Sequence, residues 1–489
     1  MTPSCPSRPI RGLGLLFCAA WLCLPGRLQS QQPTPPNGFV ALFNGENLSG
    51  WYGWSTRDPK ELWDMPPEEQ AKYKRESIEG GLLDKNGQNT NEHINAHWRV
   101  ENGELVNDGR GLYLTTDKDY ADFELQLEYK ALPKGDSGVY LRGTPQIQIW
   151  DPGQPDPTGL GRALGSGGLW NNRQGSPGKD PLKKMDKPFG QWNQLHVVMI
   201  GERASVKLNG EVVVDFAPLE NFFANQQRGY LAYGKPDAPK KADGSDKVSG
   251  DTMLDPVVRR GPIQLQTHGS EIRWRNVYLR EIDAAEANKF LADRDADGFV
   301  ELNNGQDLSN WQGAVDNYHV QDGAIVCKQG KGGALLSKDT YENLILRVEF
   351  KLPPGGNNGI ALRTPSGGHP STDGLEIQII DDDGYNAKRP NARLKSYQRH
   401  GSMYHCVGAK PGYLRPVGEW NFQEIEVRGQ TVKVTLNGTK ILDVDIDQLD
   451  RSQLETVPKG LDNRVGHIGL AGHSDPVAFR SFKVKRLSQ

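Results

Sequence analysis

Two sets of side chains in this chain combine the residue types that proton-transfer chemistry requires. Each set contains a histidine, an arginine and at least one carboxylate. Imidazole and carboxylate groups can exchange protons near neutral pH, and a guanidinium can stabilise a developing negative charge. The first set is Glu128, Arg142 and His268, and the second set is Glu349, Arg363, Glu376, Asp381 and His473.

The two sets occupy equivalent positions of an internal repeat. The segment FVALFNGENLSGW, which starts at Phe39, returns as FVELNNGQDLSNW at Phe299. In both halves the same interval separates the tryptophan of a Gly-x-Trp-Asn motif from a Leu-Asn-Gly turn. His268 and Arg275 are likewise as far apart as His473 and Arg480. Matched order and spacing indicate a duplicated domain, so the two sets are two copies of one site.

The elements that must position these side chains are predicted to be short β-strands. In DFELQLEY, which starts at Asp122, apolar and polar residues alternate as they do in a strand with one buried face. Asn209-Gly210 and Asn437-Gly438 lie between such runs and predict tight hairpin turns. The 57 glycines and 32 prolines favour many turns. We therefore predict an all-β chain of two tandem antiparallel sandwiches, each with its own core.

The first thirty residues differ in kind from the rest. Arg8 and Arg11 precede the apolar run GLGLLFCAAWLCL, which predicts a signal peptide cut after Ser30. No later run is long enough to span a bilayer, so we expect an exported protein, secreted or periplasmic. The predicted divisions are a signal peptide (1–30), a Pro-rich linker (31–38), a first domain (39–282), a second linker (283–298) and a second domain (299–487).

Charge, cysteines and one acidic segment bear on the partners of the chain. The 58 Lys and Arg residues and 61 Asp and Glu residues leave a net charge of -3, which gives no broad basic surface for nucleic acid. Cys327 and Cys406 can form a disulfide or remain two buried thiols. The segment DRDADG (293–298) imitates half of a calcium loop, although a solvated connector explains it as well. No cofactor is predicted, with a divalent metal such as calcium as the alternative.

Several motifs are similar to those of the 3-keto-disaccharide hydrolase domain family. They are the opening FVxLxNGxxLSxW, the segments SGVYLRGTPQIQIWD, NGIALRTP and GLEIQIID, the GxWN and LNG turns, and the endings GPIQLQTHGSEIRWRNVYLRE and GHIGLAGHSDPVAFRSFKVKRL. The resemblance covers residues 39–282 and 299–487. It implies a concanavalin A-like jelly-roll fold, exported proteins and cleavage of 3-keto-glycosides. The acidic residue usual in the family stands at Glu376, whereas the first copy has Gln146.

The resemblance also implies a chemistry for the polar face of each predicted sandwich. A ketone at C3 of a sugar acidifies the C2 hydrogen, so a base can remove it, the glycosidic oxygen can leave from C1, and water can add. The predicted catalytic residues are His268, Arg142, Glu128, Glu376, Arg363, His473 and Asp381. The predicted substrate-binding residues are Tyr140, Gln146, Gln148, Trp150, Trp170, Glu349 and Gln378, and the expected partner is an oligosaccharide or glycoside.

Other interpretations of the same residues stay open. The structural alternative to a catalytic role is an ion pair across neighbouring strands, between Arg142 and Glu128 and between Arg363 and Glu349. A lone histidine at a strand end is also weak support for catalysis. A direct glycosidase would need two carboxylates at a fixed separation. The main functional alternative is a non-catalytic tandem glycan-binding protein, in which two linked sites gain avidity, and adhesion comes third.

Overall fold

The computed structural model describes residues 34–156, 159–227 and 253–488. Within these ranges four antiparallel sheets form two β-sandwiches. The predicted fold class of two tandem concanavalin A-like jelly rolls is confirmed. The predicted signal peptide and the first residues of the Pro-rich linker lie outside the described residues. No described helix is both long and apolar enough to cross a membrane.

The first half of the chain combines many short strands with a few helices. In chain order they are β1 (Val40–Ala41), β2 (Trp51–Trp54), α1 (Lys60–Trp63), α2 (Pro67–Glu79), α3 (Ile94–His97), β3 (Trp98–Glu101), β4 (Glu104–Asn107), β5 (Tyr113–Thr116), β6 (Phe123–Ala131), β7 (Asp136–Leu141), β8 (Thr144–Trp150), β9 (Asn193–Ile200), β10 (Arg203–Leu208), β11 (Glu211–Pro218), α4 (Phe222–Gln227), β12 (Gln264–Leu265), β13 (Ile272–Glu281) and α5 (Ala284–Asp293).

The second half repeats the strands with fewer helices. Its elements are β14 (Val300–Glu301), β15 (Trp311–Gly313), β16 (Tyr318–Gln321), β17 (Ala324–Cys327), β18 (Gly332–Tyr341), β19 (Leu344–Lys351), β20 (Asn357–Thr364), α6 (Pro370–Asp373), β21 (Leu375–Ile380), α7 (Asp382–Lys388), β22 (Trp420–Arg428), β23 (Thr431–Leu436), β24 (Thr439–Asp445), β25 (Gly466–His473) and β26 (Ala478–Arg486).

Each sandwich packs an eight-stranded sheet against a five-stranded sheet. In the first sandwich the strand orders are β11-β10-β9-β6-β13-β4-β3, with β1 beside β13, and β2-β5-β12-β7-β8. In the second they are β16-β17-β26-β19-β22-β23-β24, with β14 beside β26, and β15-β18-β25-β20-β21. The two topologies are the same, so equivalent residues can be identified from strand register.

Side-chain alternation builds the core between the sheets. Along β6 every second residue is buried, including Phe123, Leu125 and Leu127. Burying each such side chain contributes roughly 1.5–3 kcal/mol, which favours this strand orientation over its reverse. The predicted hairpin turns are also confirmed, because Asn209 and Asn437 adopt φ values of 53° and 51°.

The predicted second linker contains a helix that packs between the sandwiches. Asp283 caps α5 by accepting a hydrogen bond from the backbone N–H of Glu286. Ala287 and Leu291 of this helix are buried in one apolar cluster with Phe422 of the second sandwich. The two sandwiches therefore share a small core of their own. Cys327 and Cys406, both in the second sandwich, are buried free thiols.

A buried glutamate lies at the contact between the two sandwiches. Glu202, in the turn between β9 and β10, is 8% exposed. One of its carboxylate oxygens accepts a hydrogen bond of 3.1 Å from the backbone N–H of Lys440, and its own N–H donates to the Gly438 carbonyl. Burial raises the pKa of Glu202 to about 7. The contact is therefore most stable when this carboxyl group is protonated.

We predict that Glu202→Gln makes the protein more stable above pH 7. The pKa of Glu202 rises on folding from 4.5 to about 7. Its contribution is therefore fully present below pH 4.5 and is lost as pH rises through about 7. At pH 8 the free energy of unfolding of the Glu202→Gln variant should exceed that of the wild type by up to roughly 3 kcal/mol. At pH 5 the two free energies should be close.

Urea denaturation of both proteins at the two pH values measures this difference. Glu46→Gln, at an exposed site of the first sandwich, is the control for removing one negative charge. An equal gain at pH 5 and pH 8, or the same gain in the control, would contradict the prediction.

Candidate active site

The outer face of the first five-stranded sheet carries most of the predicted polar residues. Along β8, Ile147 and Ile149 are in the core, and Gln146, Gln148 and Trp150 occupy the opposite face. The loop after β8 follows the edge of this strand, where the backbone N–H of residue 170 donates to the carbonyl of residue 146. This pairing brings the ring centroids of Trp170 and Trp150 to 5.1 Å from each other.

Three glutamine side chains form a hydrogen-bonded network across the sheet. Nε2 of Gln146 donates to Oε1 of Gln148 and to Oε1 of Gln266, both at 2.7 Å. Nε2 of Gln266 in turn donates to the Tyr113 hydroxyl at 3.2 Å. Strands β8, β12 and β5 are therefore linked by side chains as well as by their backbones. The network fixes the orientation of each amide group.

A glycine on the intervening strand makes this network sterically possible. A Cβ atom at Gly138 of β7 would lie only 2.4 Å from Cγ of Gln146 and 2.5 Å from its Nε2. Any larger residue would therefore push the amide away from β12. In the second sandwich a Cβ atom at Gly359 would lie 2.2 Å from Oε1 of Glu376. The same arrangement thus positions a glutamine in one sandwich and a glutamate in the other.

An exposed histidine rests on a partly buried aspartate at one end of the network. Nδ1 of His268, whose side chain is 60% exposed, lies 3.3 Å from Oδ2 of Asp136. Gln148 donates to the other carboxylate oxygen at 2.8 Å, and Nη2 of Arg162 lies 3.4 Å from Oδ2. The hydrogen bond that the imidazole donates to Asp136 raises the pKa of His268. The carboxylate therefore makes this imidazole a stronger base.

These side chains line one cavity of about 340 Å³. Six of the predicted residues meet there: Tyr140, Gln146, Gln148, Trp150, Trp170 and His268. Six further polar residues of the cavity were missed by sequence reasoning: Thr56, Tyr113, Asp136, Arg162, Asn171 and Gln266. Asp136 precedes Tyr140 by four residues on β7, so alternation could have placed it on the same face. Nothing in the local sequence brings Arg162 there, because it belongs to a loop.

The second sandwich has its own histidine–carboxylate pair, built differently. Nε2 of His473 lies 3.5 Å from Oε1 of Glu376, which is 2% exposed. The hydrogen bond with Glu376 raises the pKa of His473. Here the carboxylate comes from β21, whereas in the first sandwich it comes from the start of β7. Asn357 occupies the position equivalent to Asp136.

The remaining outer face of the second sheet is less polar than that of the first. Strand register gives the equivalences Tyr113 to Ala334, Tyr140 to Ala361 and Gln266 to Ala471. On this face Oε2 of Glu376 and Oε1 of Gln378 are buried side-chain atoms without a hydrogen-bond partner among the described residues. The two outer faces have therefore diverged in chemistry while keeping the histidine.

The predicted positions of the two arginines on the polar face are wrong. The guanidinium of Arg142 is 1% exposed and donates to the Ala121 carbonyl and to Asp122. Arg363, equally buried, donates to the Gly429 carbonyl and to Gln430. Arg142 follows β7 in the turn to β8, whereas Arg363 lies where the pairing of β20 is irregular, and both arginines have positive φ values. Alternation fails at such turns and bulges, so each arginine turns away from the cavity.

The two glutamates predicted beside these arginines lie on the other sheet. Glu128 on β6 pairs with Arg275, and Glu349 on β19 pairs with Arg480 at 2.9 Å. Both are cross-strand ion pairs on the eight-stranded sheets, so neither glutamate shares a face with the histidines. The expected pairing with Arg142 or Arg363 is therefore wrong as well. Sequence alternation cannot tell which of two sheets a strand joins.

Asp381 has a role in local structure at the end of β21. Its two carboxylate oxygens accept hydrogen bonds from the backbone N–H groups of Gly355 and Gly384. It therefore caps α7 and closes a turn, away from His473. Among the described residues, which include the acidic connector, no three or more His, Cys, Asp or Glu side chains are grouped to hold a metal.

The fold and this site place the chain among the concanavalin A-like sandwich proteins. A family model described as the 3-keto-alpha-glucoside-1,2-lyase-like domain matches residues 38–280 and 298–485. The chain belongs to this family, which confirms the resemblance seen in its sequence motifs. It is accordingly a carbohydrate-active protein.

Individual relatives match less than half of this chain. A 3-keto-disaccharide hydrolase of Bacteroides thetaiotaomicron is 26% identical over 252 residues, covering 43% of this chain and 86% of the relative. Two crystal structures of candidate glycosyl hydrolases from Parabacteroides distasonis are 26% and 28% identical. They cover 40% and 39% of this chain and 96% and 99% of their own, with TM-scores of 0.36 and 0.34.

We predict that Asp136→Asn lowers the pKa of His268, because the variant removes the negative charge that stabilises the imidazolium. Titration of ¹³C-labelled histidines by NMR measures the pKa of each imidazole. His473 is the internal control, since its carboxylate partner is Glu376 in the other sandwich. An unchanged pKa for His268, or an equal fall at His473, would show that Asp136 does not set the basicity of His268.

Proposed function

We propose that this protein cleaves the glycosidic bond of 3-keto-glycosides, and that the cavity of the first sandwich is the active site. One observation carries the proposal. The His268 imidazole, supported by Asp136, opens into the same cavity as the Arg162 guanidinium. A base, a cation and sugar-binding groups are thus within reach of one bound monosaccharide unit.

The first step is removal of the C2 proton by His268. Asp136 favours this transfer because its carboxylate stabilises the imidazolium that forms. The electrons of the C2–H bond delocalise onto the C3 oxygen, and Arg162 is the cation placed to stabilise the resulting enolate. Arg162 thus supplies the positive charge that was expected from Arg142, which is buried away from this cavity.

The second step expels the leaving group and restores the ketone. The enolate electrons form a C1=C2 double bond while the C1–O bond breaks, and the departing oxygen takes a proton. The imidazolium of His268 is the acid available in the cavity for this transfer. Addition of water across the double bond, with hydroxide at C1 and a proton at C2, completes a net hydrolysis.

The walls of the cavity suit a sugar ring. Trp150 and Trp170 provide aromatic surface, and the glutamine network presents amide groups of fixed orientation to hydroxyls. The Arg162 guanidinium lies 5.2 Å from the Trp150 ring centroid, which further restricts its position. Substrate orientation would therefore depend on side chains that are already held in place before binding.

The second sandwich is the weaker candidate for this reaction. Its Arg363 is buried away from His473, and alanines replace the tyrosines and the glutamine of the first cavity. A glycan-binding role suits it better, because an exposed histidine and a nearby Tyr404–His405 aromatic pair remain.

The leader-like sequence over residues 1–30 is the basis for proposing, in addition, that the protein acts outside the cytoplasm.

The reaction requires a ketone at C3, which gives a direct test of substrate class. A 3-keto-glycoside and the matching glycoside with a C3 hydroxyl are incubated with the protein, and the released sugar is measured by chromatography. We expect release only from the keto compound, because only there is the C2 hydrogen acidic enough for His268 to remove. Equal release from both would indicate a direct glycosidase, and binding of either without turnover would indicate a glycan-binding protein.

We predict that His268→Gln and His473→Gln have very different effects on the rate. Loss of a proton-transfer residue should lower kcat/KM for the 3-keto-glycoside by at least about 100-fold in the first variant. His473→Gln should change it by less than about threefold, since that histidine belongs to the other sandwich. Steady-state kinetics and thermal midpoints are measured for both. The reverse order of effects would move the active site to the second sandwich.

A further inference from the structure

A cavity away from both histidines lies where the two sandwiches meet. Its volume is about 680 Å³, and three arginines contribute to its walls. Arg259 comes from the first half of the chain, and Arg399 and Arg415 come from the second. Arg259 and Arg415 also line an adjoining cavity of about 460 Å³. This cavity depends on the tandem duplication, because its walls contain residues from both sandwiches.

Arg415 has a donor that the protein leaves unused. The residue is 9% exposed, and its Nη1 group donates to the Trp420 carbonyl at 2.7 Å and to Asn288. Its buried Nη2 has no hydrogen-bond partner among the described residues, and the nearest carboxylate oxygen, of Asp122, is 3.9 Å away. A buried N–H group without an acceptor is costly, so this donor favours occupancy of the site by an acceptor.

The other two arginines also retain donors for a ligand. With the described part of the chain, the guanidinium of Arg259 makes one hydrogen bond, from Nη1 to the Leu414 carbonyl. The described residues include no hydrogen-bond or ion-pair partner for the side chain of Arg399. A planar guanidinium matches the two oxygens of a carboxylate or sulfate group. The cavity therefore has unused capacity to bind an oxyanion.

Among the described residues, the acidic side chains of the same cavity form no hydrogen bond or ion pair with its three arginines. Both oxygens of Asp381 accept backbone N–H groups, so they are not available to the arginines. One oxygen of Asp382 accepts the N–H of His400 at 2.9 Å. The second oxygen of Asp382 and the exposed carboxylate of Asp383 remain as acceptors for hydroxyl groups. A ligand with an oxyanion and several hydroxyls would satisfy both kinds of group.

We propose that this interdomain cavity is a second binding site, specific for an acidic saccharide. The carboxylate of the saccharide is bound by Arg259, Arg399 and Arg415, and its hydroxyls donate to Asp382 and Asp383. A volume of about 680 Å³ accommodates a disaccharide. Because the arginines come from both sandwiches, the ligand strengthens the contact between them. The site is separate from the cavity of His268 and does not depend on the reaction proposed there.

Calorimetric titration of the full chain with digalacturonate tests the proposal, and its dimethyl ester is the uncharged probe. We expect the wild type to bind the acid and to bind the ester at least about tenfold more weakly, since the ester has lost the charge that the arginines recognise. Sodium sulfate is the third probe. Equal affinity for acid and ester, or no binding of the acid, would overturn the proposal. Sulfate binding as tight as digalacturonate would reduce the site to an oxyanion site and overturn its saccharide part.

Arg399→Gln is the informative variant, because no hydrogen bond or ion pair of this side chain is described and its recorded interaction is the charge attraction to Asp382. It should weaken digalacturonate binding by at least about tenfold and leave the thermal midpoint of the free protein unchanged. The matched control is Arg393→Gln, which removes the same charge from an exposed position outside the cavity. Equal losses in the two variants would show that net charge, rather than this cavity, attracts the ligand. Turnover of a 3-keto-glycoside should be the same in both, which keeps this test separate from that of the active site.

Discussion

The polar face of each sandwich depends on the absence of one side chain. Gly138 leaves the space in which Gln146 crosses β7 and reaches Gln266, the residue after β12. Gly359 leaves the same space for Glu376. Without these glycines the neighbouring side chains would have to turn outward, and the groups that support each histidine would separate. A steric constraint at one backbone position thus determines how polar groups are arranged over three strands.

Duplication has preserved this framework while the chemistry on it has changed. Both sandwiches keep an exposed histidine at the same place, but its carboxylate is Asp136 in one and Glu376 in the other. The carboxylate therefore comes from β7 in the first sandwich and from β21, the equivalent of β8, in the second. Such exchange is tolerated because the two positions face the same side of the sheet and approach one imidazole from different directions. The fold alone therefore does not decide what either site does.

The contact between the sandwiches adds features that neither sandwich has alone. Helix α5 and Phe422 form a shared apolar cluster, and the adjoining surfaces enclose Glu202 and the Arg415 guanidinium. Enclosing charged groups is unfavourable unless partners or ligands compensate. The junction is therefore the part of the molecule where pH and ligands are most able to change stability, independently of the outer faces.

The amino-acid sequence by itself determined the duplication, the strands and the members of the β8 face, because alternation and turn residues are local properties. It therefore predicted that Gln146, Gln148, Trp150 and His268 belong together. Only the tertiary structure decided which sheet each strand joins, and so removed Glu128 from the site. It also showed the turn between β7 and β8 that buries Arg142 and the loop that brings in Arg162. Sheet membership, bulges and loop paths depend on contacts between distant residues, which no local pattern contains.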